Sequence, residues 1–532
     1  MLILQGVTYT HPNRDLLFSD IQLTVNKHDK IALTGNNGAG KSTLLKIMAG
    51  ELQPASGTVN ASAVPYYLPQ LFGQFNGLTI AQALHIDQQL QALQAILSGD
   101  TSEQNYTLLN DDWGIEERCN EALAYWQLHG LSLAAPIDTL SGGQKTKVFL
   151  AGMMIHQPAI VLLDEPSNHL DAAGRNKLYS YIQHTNQTLV VVSHDRTLLN
   201  LMNTVCELSK RGITVYGGNY DFYREQKTLE QDALNEDVRS KEKALRKAKE
   251  IERESMERQQ KLDARGKRRQ EKAGLPTISM KTFKNNAEKS TARMKEVHAD
   301  KIDAIAQELT HLRQTLPDAG KMRIGFNNTS LHKGKILATA TNINFSYNGQ
   351  PLWSTPLDFQ LVSGNRLAIK GQNGSGKTTL IQLLLGTLQP TSGTLERAAV
   401  KAIYVDQEYS LVDNTRSVYE QAQQYNTGAL QEHEIKNRLS RFLFTREHWN
   451  KCCAALSGGE KMRLMLCCLT IDTNAPDIII LDEPTNNLDI QNMEILTGAI
   501  NEYEGTLLVV SHDAYFLQQI NVTQSLELEA AT

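Results

Sequence analysis

Gly35-Asn36-Asn37-Gly38-Ala39-Gly40-Lys41-Ser42-Thr43 decides how the first part of this chain must fold. Lys-Ile-Ala-Leu-Thr at 30–34 precedes it and reads as a short buried strand. Leu-Leu-Lys-Ile-Met-Ala-Gly at 44–50 follows and reads as an apolar helix. Strand, Gly-x-x-x-x-Gly-Lys-Ser and helix in that order make a phosphate-binding loop. The glycines let successive backbone N–H groups turn onto phosphate oxygens, and the helix N-terminus adds its positive end. Lys41 would reach the outer phosphates, and the Ser42 hydroxyl would ligate Mg2+.

Further along, Ile160-Val161-Leu162-Leu163 runs into Asp164-Glu165-Pro166. The apolar run reads as a parallel strand buried on both faces. Asp164 at its end would hold Mg2+ from outside its inner ring of ligands, and Glu165 would be the general base for an attacking water. Between the loop and this strand, Leu140-Ser141-Gly142-Gly143-Gln144 opens a helical stretch. Its serine hydroxyl and free N–H groups would also suit phosphate. One domain has no need of two phosphate cradles, so this one makes sense if it serves the nucleotide of another copy.

That copy is present. Gly371-Gln372-Asn373-Gly374-Ser375-Gly376-Lys377-Thr378-Thr379 follows Ile369-Lys370, with Leu456-Ser457-Gly458-Gly459-Glu460 and then Ile478 through Asp482-Glu483-Pro484 behind it. The lysines are 336 apart, the serines 316 and the glutamates 318, so the repeat is real and the first copy carries about 20 extra residues. Gln70 and Gln407 match each other. The extra residues therefore lie at about 71–138, where a helical insertion is expected.

Between the copies the composition changes. From Phe222 to Lys272 there is no proline and one glycine, Gly266, and acids alternate with bases as on a solvated helix. About 50 residues of helix measure roughly 75 Å. Leu234, Val238, Lys241, Leu245 and Ala248 mark a thin seam. Ala273-Gly274-Leu275-Pro276 breaks the helix. Ile302, Ile305, Leu309, Leu312 and Leu316 then return at 3-4-3-4 spacing before Pro317. The expectation is an antiparallel helical hairpin. Between Arg258 and Lys295 stand twelve basic and three acidic residues, an excess of nine positive charges in a chain of net charge −5. Charge segregated in this way suits a polyanion. Leu275, Ile278, Met280 and Phe283 in the same tip would wedge against unstacked bases.

The bulk composition excludes several classes. A length of 532 residues predicts two to four domains, and 41% hydrophobic with 21% charged residues is ordinary for a globular protein. No run approaches the roughly 18 apolar residues of a membrane span, and the first residues lack the pattern of a signal peptide. Six cysteines without a Cys-x-x-Cys spacing are expected to be free thiols.

The two loops, Gln70 and Gln407, the two Leu-Ser-Gly-Gly strings, the two strand-end acid pairs, Ser193-His194-Asp195 and Ser511-His512-Asp513 together resemble the ATP-binding-cassette ATPases. Two cassettes on one chain, a charged linker, and the strings LDEPSNHLD at 163–171 and LDEPTNNLD at 481–489 resemble the ABC-F subfamily. The resemblance implies an α/β fold of two tandem cassettes joined by a helical hairpin: 1–222, 223–318 with its basic tip at about 258–295, and 319–532. It implies a monomer whose cassettes pair head to tail on two ATP molecules. Lys41 would share one nucleotide with Ser457, Gly458 and Gly459, and Lys377 the other with Ser141, Gly142 and Gly143. Gln70 and Gln407 would touch Mg2+ and the water, His194 and His512 the γ-phosphate, and Asp171 and Asp489 would cross the interface. Tyr347 fits the aromatic that stacks on adenine, whereas His11 or Pro12 stands there in the first copy, with Tyr9 displaced. Ser167 replaces the usual threonine.

The same resemblance implies a cytoplasmic ATPase that presents its basic tip to the ribosome, near tRNA and rRNA at the exit and peptidyl-transferase region. Such a protein acts in translation or in protecting the ribosome from an antibiotic. Two other classes stay open: the ATPase of a membrane exporter, for which a 95-residue hairpin has no evident use, and a DNA-associated twin-cassette ATPase, which normally carries a far longer coiled coil.

Overall fold

The computed structural model describes residues 1–12, 15–100, 102–210, 212–272, 277–315, 331–347, 349–473, 475–486 and 488–531. The chain divides into two compact units, Met1–Asp221 with Lys321–Thr532, and Phe222–Gly320.

The first unit holds two tandem cassettes. In the first, Ile160–Asp164 and Thr188–Val192 are buried along their whole length, as continuous Val/Leu/Ile runs require. They lie inside a six-stranded sheet in the order Tyr66–Leu68, Ile160–Asp164, Thr188–Val192, Lys30–Thr34, Thr204–Ser209, Gly212–Gly217. All neighbours are parallel except the last pair. An antiparallel sheet of Leu16–Val25, Leu2–Thr10 and Ser56–Ala61 packs through Leu2, Phe18 and Ile21 onto Leu33, Leu44 and Val190 in one core. The helix Lys41–Ala49 is held within that core.

The second cassette repeats the plan. Ala402–Val405, Ile478–Asp482, Thr506–Val510, Arg366–Gly371 and Gln524–Leu528 form a fully parallel sheet, and Leu357–Val362, Ile336–Asn344 and Ser392–Arg397 an antiparallel one. In each cassette the phosphate-loop strand is internal to its sheet. Parallel strands bind ligands at their carboxyl ends, and here those ends place the loop, the acid pair and the histidine on one edge.

The copies differ in their helices. The segment Gln70 to Ser141 carries Ile80–Ala83, Asp87–Leu97, Glu103–Leu109 and Ile115–Tyr125; Gln407 to Ser457 carries Val418–Gln424 and Glu432–Arg441. Trp126, fully buried, anchors the longer segment.

The helix Tyr220–Lys272 of 53 residues crosses from the first unit into the second, and Thr277–Thr315 of 39 residues follows it. Along the seam Val238, Ala248 and Leu309 are buried, while Leu234, Leu245, Ile302, Ile305 and Leu312 are half-buried. Lys241 pairs with Glu308, and Arg313 donates to Glu242 at 2.6 Å, so these stretches of the two helices lie side by side. These exposed pairs contribute at most about 1 kcal/mol each, so the apolar stripe is what holds the helices together. Ala273 to Pro276, Leu316 and Pro317 lie outside the described residues, as do the side chains of Ile278, Met280 and Phe283. Of the tip's basic residues, Arg258, Lys261, Arg265, Arg268, Arg293 and Lys295 are exposed. No helix among the described residues is long and apolar enough to cross a membrane. All six cysteines are free thiols.

Candidate nucleotide site

Each phosphate loop is shaped by glycines that nothing else could replace. Gly40 and Gly376 take φ values of 97° and 87°, the left-handed region that L side chains avoid. A Cβ there would also meet Leu17 Cδ2 at 2.7 Å or Leu352 Cδ2 at 2.5 Å. The loops start their helices at Lys41 and Lys377. Lys41 Nζ donates to the carbonyls of Gly35 at 2.7 Å and Asn36 at 3.2 Å, and Lys377 Nζ to those of Gly371 at 2.8 Å and Gln372 at 3.0 Å. Trp353 Nε1 donates to Ser375 O at 2.9 Å and braces the second loop from below.

The acids stand where their strands end. Asp164 and Glu165 are almost fully buried. Glu165 and Glu483 adopt φ of 53° and 47°, a costly conformation for a non-glycine residue. Their N–H groups are tied to Val192 O and Val510 O at 2.8 Å. The chain is thereby turned sharply at the carboxylate. Burial pushes the Glu165 carboxyl up to about 8, with Asp164 adding to the shift and Lys41 opposing it. Burial pushes Glu483 up to about 7, opposed first by Arg175 and then by Lys377. Burial also holds His194 at about 3 and His512 at about 4, so both imidazoles are neutral at pH 7. Their Nε2 atoms lie 3.4 Å from Glu165 Oε1 and 3.5 Å from Glu483 Oε1. Burial lowers both lysines, and the neighbouring carboxylates counter it.

A cleft of about 290 Å³ opens at the first site. Asn37, Gly38, Lys41, Gln70, Asp164, Glu165 and His194 line it together with Ser42, Thr43 and His11. Asp164 Oδ1, Glu165 Oε1 and Glu483 Oε1 are buried without a hydrogen-bond partner among the described residues. A buried, unmatched carboxylate oxygen is costly, and a hydrated divalent cation or an attacking water would satisfy it. The residues therefore fit Mg2+ and a polyphosphate. Thr378 and Gln407 are exposed at the corresponding places of the second site. Tyr347 is 52% exposed, with its hydroxyl 3.2 Å from Thr379 Oγ1 and its ring edge-on to Phe345.

Ser141 and Ser457 cap their helices. Each hydroxyl accepts from the N–H three residues on, at 3.3 Å, and the side chain of Gln144 or Glu460 answers in a capping box. Ser457 also donates to Glu460 Oε2 at 2.9 Å.

The cassettes meet at these features. Asn373 Nδ2 donates to His169 O at 3.2 Å, and His169 packs against Gly142 and Gly143. A Cβ at Gly143 would lie 3.3 Å from Asn373 Nδ2, so the Leu-Ser-Gly-Gly turn of the first cassette adjoins the phosphate loop of the second. Asp171 acts electrostatically on Lys377, and Asp489 on Lys41. Arg196 of the first cassette stacks 4.4 Å over Tyr515 of the second and reaches Glu494 at 3.4 Å. Arg175 and Asn373's contact with His169 were not marked as site features by motif, whereas His11, one of the two candidates for the place of Tyr347, does line the first cleft. Its number is that of Tyr347 less the lysine offset of 336.

The family model described as "ABC transporter" matches residues 18–168 and 354–486. The chain is similar to the Bacillus subtilis ATP-binding protein YdiF, 31% identical over 541 residues and covering 97% of this chain and 78% of that protein. It is similar to the ABC transporter F family member 5 of Arabidopsis thaliana, 27% identical, with 96% and 73% covered. Its fold is similar to a solved complex of archaeal ribosomal stalk protein aP1 and archaeal ribosome recycling factor aABCE1. That match has 19% identity and a TM-score of 0.58, over 97% of this chain and 86% of that one.

Proposed function

The chain belongs to the ABC-F subfamily of ATP-binding-cassette ATPases, and from that premise we propose a cytoplasmic, Mg2+-dependent ATP hydrolase that works on the ribosome. Two such ATPase domains bind ATP and imply its hydrolysis. The observation that carries the finer reading is the contact of Asn373 with His169, beside Gly143. It supports two composite sites, each made by the loop of one cassette and the Leu-Ser-Gly-Gly turn of the other.

In this reading the loop N–H groups with Lys41 or Lys377 grip the phosphates. Ser42 with Asp164 and Gln70, and Thr378 with Asp482 and Gln407, hold Mg2+. That ion supplies charge neutralisation on the phosphate oxygens. Glu165 and Glu483 each take a proton from water, which they do only once ionised. The neutral His194 and His512 offer a hydrogen bond without adding charge to the glutamate. Hydrolysis undoes the cassette closure and releases the partner.

The ribosome as partner is supported by the subfamily and by the hairpin's tip, where twelve basic residues face three acids between Arg258 and Lys295. Neutralising phosphates in this way makes binding strongly salt-dependent. The test is co-sedimentation with ribosomes of the Glu165→Gln, Glu483→Gln double variant, with and without ATP. ATP-dependent, salt-sensitive pelleting is expected. No association at low salt, with ATP bound, would overturn the ribosome reading. Drug sensitivity of a strain lacking the protein separates a translation factor from a target-protection protein.

A further inference from the structure

We propose that Tyr67 and Tyr404 are positioning residues for Asp164 and Asp482, each phenol pinning one carboxylate oxygen so that the other is turned to the divalent cation. The inference rests on the Mg2+-dependent reading above and adds a residue to it.

Tyr67 pairs with Leu162 and Tyr404 with Ile480, in parallel ladders. Side chains alternate along a strand, so Asp164, two beyond Leu162, shares a face with Leu162 and with Tyr67. A diagonal neighbour at this offset is within reach of a long aromatic side chain. The structure shows the contact made in both cassettes. Tyr67 Oη donates to Asp164 Oδ2 at 3.4 Å, and Tyr404 Oη to Asp482 Oδ2 at 2.8 Å. The adjacent Tyr66 points to the opposite face, where its hydroxyl donates to Phe149 O at 2.7 Å. In the second copy the counterpart of Tyr66 is Ile403, so of the two tyrosines only the one facing the aspartate recurs, three residues before the glutamine in each half.

The consequence for the carboxylate is directional. A buried aspartate with one oxygen held cannot rotate about its terminal bond without losing that hydrogen bond. The oxygen left over at the first site, Asp164 Oδ1, is buried and makes no regular hydrogen bond among the described residues, and the Ser42 hydroxyl, the other group proposed for the cation, lies beside this carboxylate. Outer-shell hydrogen bonds of this kind orient a metal's ligands, and removing one typically costs about 10- to 100-fold in metal affinity.

The test uses the full chain with a non-hydrolysable ATP analogue and Mn2+ as the probe, free Mn2+ being read by EPR. Tyr→Phe keeps the packing and removes only the hydroxyl. Tyr404→Phe is expected to weaken Mn2+ binding at one site by about tenfold. Tyr67→Phe should do so by less, because its hydrogen bond is longer. Analogue affinity without metal and the melting temperature should stay at wild-type values. Mn2+ affinity within about twofold of wild type in the folded double variant would overturn the proposal. So would a parallel loss of metal-free analogue binding, which would make the phenols parts of the nucleotide pocket. If the wild-type chain binds the analogue and takes up no Mn2+, the Mg2+-dependent reading itself fails.

Discussion

The two nucleotide sites carry the same motifs in the same order, yet their charges are not matched. At the second, Arg175 reaches across from the first cassette and opposes the burial that raises Glu483. The position related to Arg175 by the 318-residue offset of the glutamates is Met493, so Glu165 has no such partner. Burial is the largest cause at both and leaves Glu165 at about 8 and Glu483 at about 7, with Arg175 opposing it at the second. The two Leu-Ser-Gly-Gly turns differ too. Gln144 caps the turn adjoining the second loop, while the anionic Glu460 caps its counterpart. A duplicated motif therefore repeats the same groups, and residues outside the motif shift how readily each copy's glutamate ionises.

The largest effect that could break this comparison comes from removing both proposed bases. The Glu165→Gln, Glu483→Gln variant should lose at least about 100-fold in turnover and still bind ATP, as measured by steady-state phosphate release beside nucleotide binding. Equal residual activity in the two single variants would make the sites interchangeable.

Next in size is the pH profile. With Glu483→Gln only the first site works, and the rising limb of kcat/KM should fall near pH 8. With Glu165→Gln the second site works, and the limb should fall near pH 7. Arg175→Met makes the halves alike at this position and should move the second limb upward towards the first. No movement would remove Arg175 from the account.

Tyr347→Ala should weaken nucleotide binding at the second site by about tenfold, the scale of one base–aromatic stack. His11→Ala at the first site should cost less, because a smaller ring is removed. A fluorescent ATP analogue bound to each single-site variant would measure both.

The smallest effect is on stability without nucleotide. Folded Glu165 keeps its proton up to about pH 8, whereas an unfolded glutamic acid loses it near about 4.3. The folded state binds the extra proton in between, so stability falls as pH rises through that window. Between pH 7 and 8 the melting temperature should drop in the wild type and drop less in Glu165→Gln. Glu483→Gln should reduce the drop over this last unit by less than Glu165→Gln does, since its own window centres lower, near pH 7.

Much of the architecture was readable because it is local. A glycine-rich turn between a buried strand and a helix declares itself in nine residues, and so does a strand ending in Asp-Glu. The hairpin seam was readable for a similar reason. Helical geometry brings every third and fourth residue to one side, and Val238, Ala248 and Leu309 on that stripe are the ones that bury. The serines of the two Leu-Ser-Gly-Gly turns show what local reading leaves out. Both hydroxyls accept from their own helices, and that of Ser457 also donates to Glu460 Oε2.

By itself, then, the sequence determined that this chain holds two α/β phosphate-loop domains with a charged helical hairpin between them, because periodicity and loop chemistry act over a few neighbouring residues. The tertiary structure alone decided which distant groups meet. Tyr67 reaches Asp164 only through the register of two strands nearly a hundred positions apart. Arg175 acts on Glu483 only because the two cassettes face each other. Burial, not residue type, decided how far each glutamate departs from an ordinary carboxylate. Burial belongs to packing, which no short window of sequence encodes.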